Sequence, residues 1–161
     1  MPGTLKKYPI WLTGHEALGN LREVGPGLFV GDQYSPKLGR WAGVLDLCGG
    51  LSATGRHRYA SAQEVISLPF MDGDAIPELT LDIAWELYRK ARGQPVLIQC
   101  AAGLSRSTSV AYALLRRHHG FSHERALRRV QVPGREGEYP MPRTLASARA
   151  WVHQHPPRDR R

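Results

Sequence analysis

The sequence predicts an α/β protein, a single compact domain with a central, mainly parallel sheet flanked by helices. Three observations carry this. Short apolar runs bounded by Gly, Pro and Asp alternate with longer segments of helical periodicity, the pattern of strands joined by crossover helices. One run, PVLIQC (95–100), is apolar without alternation, as suits a central strand covered on both faces. The chain has 161 residues with 42% hydrophobic and 22% charged composition, enough to bury one core.

Taken in order, GLFVGD (27–32) reads as a first strand between glycines, and WAGVLDLCGG (41–50) as a second carrying Val44, Leu45 and Leu47. LSATGRHRYAS (51–61) is polar and loop-like. EVISLPF (64–70) is a third strand, stopped by the turn-rich MDGDAIPE. From Leu79 to Arg92, Leu79, Ile83 and Leu87 recur at helical spacing with Leu81, Ala84 and Tyr88; Pro77 precedes this helix and Gly93 ends it. After PVLIQC a second helix runs from about Ser107 to His119, turning Val110, Ala111, Leu114 and Leu115 to the sheet before Gly120 closes it. Helices follow near 122–131 and 142–154. The domain is expected over 25–154, after a lead-in segment (1–24) and before a solvated basic tail (155–161). Ligands of such folds gather at the carboxyl ends of the strands, and Cys48, Asp72 and Cys100 all fall there.

Composition narrows the function. Two cysteines exclude a disulfide framework and a four-cysteine zinc site. No apolar run approaches the roughly 20 residues that span a bilayer, and no secretory leader is recognisable, so a cytoplasmic protein without a transmembrane segment is expected; the oligomeric state is left open, with a monomer favoured. The formal charge of +8 would draw phosphorylated proteins, nucleic acids or acidic lipids alike. Four tryptophans far apart, and not interleaved with basic runs, favour packing over a base-stacking platform, so no nucleic-acid partner is expected. The seven histidines, His118, His119, His153 and His155 among them, show no metal-ligand spacing with a third ligand, and no metal is expected.

The chemistry concentrates after PVLIQC. Between Cys100 and Arg106 lie Ala101, Ala102, Gly103, Leu104 and Ser105, short or flexible residues whose amides can turn inward around one anion. The helix that follows adds unpaired amides and the positive end of its dipole. Arg106 offers a planar fork for two phosphoryl oxygens and for the charge that spreads over them in the transition state. The same positive surroundings should draw the Cys100 thiol below its ordinary pKa of about 8.5. A thiolate beneath a bound phosphate is a nucleophile in position, and Ser107 can hydrogen-bond the sulfur when it leaves.

QCAAGLSRSTS resembles the signature of the cysteine-based protein tyrosine phosphatases, and Ala-Gly before Arg-Ser most resembles their dual-specificity branch. GLFVGDQYS is similar to the family's early strand, VISLPFMD to its acid-loop approach, and Ala126 to Trp151 to its closing helices. The resemblance implies the phosphatase fold and hydrolysis of phosphate monoesters through a phosphocysteine, without a cofactor. It implies Cys100 as nucleophile, Arg106 as clamp and residues 101–106 as cradle. Asp72 would be the proton donor, with Asp74 and Glu78 as nearby substitutes. The implied substrate is a phosphotyrosine protein, extending to phosphoserine and phosphothreonine. LDLC and LPFMDGDAIPELTLDI also resemble tensin-like phosphoinositide phosphatases, although Ala101, Ala102 and Leu104 stand where those carry lysines. A phosphoinositide therefore ranks second, above a 5′-phosphorylated RNA end, and a phosphate-binding module that has lost catalysis is the rival reading. The family also places the strand ending near Cys48 beside that of Cys100, making Cys48 a candidate redox partner.

One departure is plain. Gln99 stands where the family has histidine, and an amide forms hydrogen bonds but cannot become cationic. Gln99→His is therefore expected to lower the pH at which Cys100 titrates and to speed turnover; a thiol titration and a rate both unchanged would sink this reading.

Overall fold

The computed structural model describes residues 21–49 and 61–157. Most of the lead-in segment, the polar stretch after Gly49 and the end of the basic tail lie outside the described residues. Five strands form one sheet: β1 (Arg22–Gly25), β2 (Leu28–Gly31), β3 (Gly43–Asp46), β4 (Val65–Ser67) and β5 (Val96–Gln99), in the spatial order β1-β2-β5-β3-β4. β5 is central and pairs in parallel with β2 and β3, β4 pairs in parallel with β3, and only β1 is antiparallel. Four helices follow the same chain: α1 (Glu78–Ala91), α2 (Arg106–His119), α3 (His123–Val130) and α4 (Pro142–Gln154).

Alternation along each strand sorts the side chains onto two faces. Leu28, Val30, Leu45, Val96 and Ile98 join the large cluster under the helices. Phe29, Val44 and Leu97 face the other way onto Trp41, which closes a smaller cluster. The Trp41 indole N–H donates to the Pro36 carbonyl at 2.9 Å, from a short 3₁₀ turn at Ser35–Leu38. α1 lies close on β3 because Gly43 lacks a Cβ, which would stand 2.5 Å from Leu87 Cδ1.

The expected strands and helices are present, with four differences. β1 carries no alternation and its first two residues are half-buried, so no periodic signal marks it; it brings Arg22, Glu23 and Val24 of the expected lead-in into the sheet. It turns into β2 through Pro26 and Gly27, whose φ of 68° and whose approach to the Gly93 carbonyl require glycine. The strands are shorter than their apolar runs, because the chain leaves the ladder at the carboxyl edge to build loops. α1 ends at Arg92 in the left-handed region (φ 50°), one residue before the expected Gly93. α2 is buried from Ser107 to Leu115 on every side rather than on one face, since α1, α3 and α4 all pack against it over the sheet.

Trp41, Trp85 and Trp151 are packed within the fold. Arg117 lies over Trp85 at 4.0 Å and over Trp151 at 5.2 Å, so these rings hold a side chain of the chain itself. Among the described residues no helix is long and apolar enough to cross a membrane.

Ile98 is fully buried at the centre of the sheet. Ile98→Ala is expected to lower stability by about 2–5 kcal/mol, read as a lower urea midpoint at unchanged m value.

Candidate active site

The carboxyl edge of the sheet is where four segments converge. β5 delivers Cys100, whose backbone N–H still donates to the Gly31 carbonyl at 3.2 Å and so fixes the start of the following loop to β2. The loop then turns back on the sulfur. Gly103, at φ 72°, directs its N–H to Cys100 Sγ at 3.3 Å, and the thiol donates to Ser107 Oγ, also at 3.3 Å. Cys100 is 3% exposed, at the floor of a cleft lined by Asp72, Ala101, Ala102, Leu104, Ser105, Arg106 and Tyr139.

Each side of the loop is tied to a different element. The Gln33 N–H donates to the Ala101 carbonyl at 3.2 Å, and the Met141 N–H donates to Ser105 Oγ at 2.9 Å. Thr108 Oγ1 donates to the Leu104 and Ser105 carbonyls, securing the first turn of α2. Arg22 reaches from β1, donating to the Val130 carbonyl at 2.7 Å and approaching the Gly103 carbonyl at 3.5 Å. Burial lowers the pKa of its guanidinium while the charge of Cys100 pushes it back up, so a cation stands behind the sulfur.

Arg106 closes the site. Its Nη1 donates to the Leu47 carbonyl at 3.2 Å and to the Phe70 carbonyl at 2.8 Å, joining the ends of β3 and β4 to the loop. Its Nε is buried with no hydrogen-bond partner, and Asp72 Oδ1 lies 3.7 Å away.

The two aspartates after β4 separate clearly. Asp72 borders the cleft with its carboxylate 59% exposed. Asp74 turns to α4, where Arg143 Nη1 stands 3.6 Å from its carboxylate and Thr144 Oγ1 donates to its carbonyl. Glu78 opens α1 and does not line the cleft. Cys48 and Cys100 are both free thiols, and Cys48 donates to Asp46 Oδ1 at 3.2 Å.

Three residues of the site escaped the sequence reading. Asp46 is fully buried beside Gln99; a charged residue inside the apolar VLDL was the available signal. Tyr139 is brought to the cleft from more than 30 residues along the chain, with no local mark. Arg22 lay in a segment without periodicity.

No family model matches the chain. Dual specificity protein phosphatase 26 of Mus musculus is 28% identical over 131 residues, covering 74% of this chain and 62% of the relative. Its counterpart in Rattus norvegicus is 29% identical over 130 residues with the same coverage. The chain thus spans 62% of the length of the curated relatives it matches. Among solved structures, the human tyrosine phosphatase-like serine/threonine/tyrosine-interacting protein superposes with a TM-score of 0.67 at 18% identity, covering 84% of this chain and 97% of that one. PTPMT1 in complex with PI(5)P gives 0.63 at 17% identity over 84% and 96%. Human DUSP28 gives 0.60 at 20% identity over 84% and 92%. The chain is thus similar in sequence to a dual specificity protein phosphatase and shares the fold of these phosphatase-like structures.

Proposed function

We propose that the chain hydrolyses phosphate monoesters through a phosphocysteine. The observation that carries this reading is the convergence on one cleft of a buried thiol under an inward amide, an arginine N–H without an acceptor, and a carboxylate across from both. Phosphoryl oxygens would sit in the loop of residues 101–106 and accept from its amides and from Arg106. The Cys100 thiolate attacks phosphorus, the P–O bond to the leaving group breaks, and protonated Asp72 gives its proton to the departing oxygen. Asp72, now a carboxylate, takes a proton from water; the oxygen attacks phosphorus, the P–S bond breaks, and inorganic phosphate forms. Ser107 reverses its hydrogen bond and donates to the sulfur as it leaves. No step requires a cofactor.

The preferred substrate is a phosphorylated protein. Tyr139 offers an aromatic wall to a phosphotyrosine ring, with the Arg135 guanidinium over the Tyr139 ring at 5.1 Å from its centroid. The name of the PTPMT1 complex makes a phosphoinositide the second substrate class, but Ala101, Ala102 and Leu104 supply no cation for additional phosphates. A monomer suffices, since the cleft is lined from one chain. Two free thiols suit a reducing compartment such as the cytoplasm.

Hydrolysis of a small aryl phosphate across pH tests the mechanism. Cys100→Ser is expected to abolish turnover, Asp72→Asn to reduce it roughly 100-fold or more with loss of the alkaline limb, and Asp74→Asn to stay within about threefold of the parent. An inactive parent that still binds tungstate would instead favour the non-catalytic phosphate-binding module. Tyr139→Ala is expected to raise KM for phosphotyrosine peptides at least several-fold more than for phosphoserine peptides; an equal change in both would remove the aromatic wall from the account.

A further inference from the structure

A polar row crosses the sheet directly behind the nucleophile. Gln99, Asp46 and Ser67 occupy the last ladder positions of β5, β3 and β4, and they are partners in register. They face away from the helices, on the side of Leu97, Val44 and Val65. At this position an apolar side chain would continue the smaller cluster, so a carboxylate here needs a reason.

Asp46 is 0% exposed and Gln99 is 1% exposed. Gln99 Nε2 donates to Asp46 Oδ1 in a short contact, the Cys48 N–H donates to the same oxygen at 3.0 Å, and the Cys48 thiol at 3.2 Å. Ser67 Oγ donates to Oδ2 at 3.0 Å. All four partners are neutral donors aimed at one acceptor, the arrangement that suits a carboxylate. Burying it without a cation among them costs free energy that only these bonds offset.

What the row fixes is the residue before Cys100. Gln99 is the last residue of the central strand, and its backbone carbonyl accepts from the Leu47 N–H at 2.9 Å. Its side chain, held by Asp46, lies within 4.0 Å of Cys48 Sγ. Both sides of Gln99 are thereby anchored to β3, and the chain enters the loop at a set angle. β3 is also the strand whose next carbonyl, that of Leu47, receives Arg106. One short segment, residues 46–48, holds the nucleophile's predecessor and the phosphate arginine together.

We propose that Asp46 is a positioning residue for Cys100, acting through Gln99. This rests on the phosphatase reading of the site. The groups facing the sulfur are Arg22 from β1, Arg106 and Ser107 from the start of α2, Asp72 from the loop after β4 and Tyr139 from the segment before α4. Asp46 lies on the opposite face of the sheet and reaches the nucleophile's strand through Gln99. The Cys48 thiol is, on this account, a hydrogen-bond donor in the row.

The test is a reversal of the bond. Asp46→Asn, Gln99→Glu and the double variant are compared with the parent by the pH dependence of Cys100 alkylation with iodoacetamide, read by mass on the Cys100 peptide, and by aryl phosphate turnover. Asp46→Asn is expected to change the pH profile of Cys100 alkylation from the parent's and to reduce kcat at least tenfold. Gln99→Glu, with two carboxylates opposed, should also change that profile and lose turnover. In the double variant an amide at 46 donates to a carboxylate at 99, and most of the turnover lost by the worse single variant should return. Thiol titrations that match the parent in all soluble variants, or a double variant no better than the worse single, would overturn the proposal, even if thermal stability followed the same pattern. Alkylation needs no substrate, so a parent that titrates as described but hydrolyses nothing would defeat the phosphatase reading alone.

Discussion

The site depends on one guanidinium. Arg106 belongs to the loop after the central strand, yet its Nη1 is spent on the Leu47 and Phe70 carbonyls, which end the neighbouring strand and begin the acid-bearing loop. The Leu47 carbonyl also accepts from the Phe70 N–H at 3.3 Å, so the guanidinium reinforces a contact between the two segments and adds the Phe70 carbonyl to it. The consequence is geometric. The nucleophile loop, the end of β3 and the approach to Asp72 cannot move independently while Arg106 is in place, and Asp72 stands 3.7 Å from its Nε. Lysine, a point charge on a flexible stem, could neutralise the cradle but not hold these directions together.

Around that fixed point the electrostatics are laid out in depth. Arg106 and the inward amides stand at the cleft, Arg22 lies behind the loop from β1, and the carboxylate of Asp46 lies behind the strand. On the proposed reading, such preorganised dipoles and charges would cost no reorganisation when a phosphoryl group arrives. The price is burial of polar groups in a small domain, offset by the four donors on Asp46 and by the carbonyls that Arg22 and Arg106 meet.

Much of this was legible because it is local. Cys100, Gly103 and Arg106 lie within one short loop after a continuous apolar strand, and hydrophobic period and small-residue content mark both. Asp72 was legible as the first carboxylate past a strand end. What the sequence did not yield is non-local. Tyr139 reaches the cleft only because α4 folds back over α2, and no pattern in GREGEYPM announces it. β1 is a short edge strand recognised by its partner rather than by its own alternation. Asp46 sits in a strand that reads as fully apolar around it, and its pairing with Gln99 becomes visible only when the register sets the two opposite each other.

The last helix reaches into the site as well. Met141 donates to Ser105 in the nucleophile loop, Thr144 donates to the carbonyl of Asp74, and Ser147 Oγ accepts from the Ile76 N–H. The acid loop and the thiol loop are thus both braced by residues 141–147, which a ribosome adds long after Cys100. During synthesis Cys100 therefore emerges well before the segment that braces its loop, and the loop gains that brace only when α4 docks.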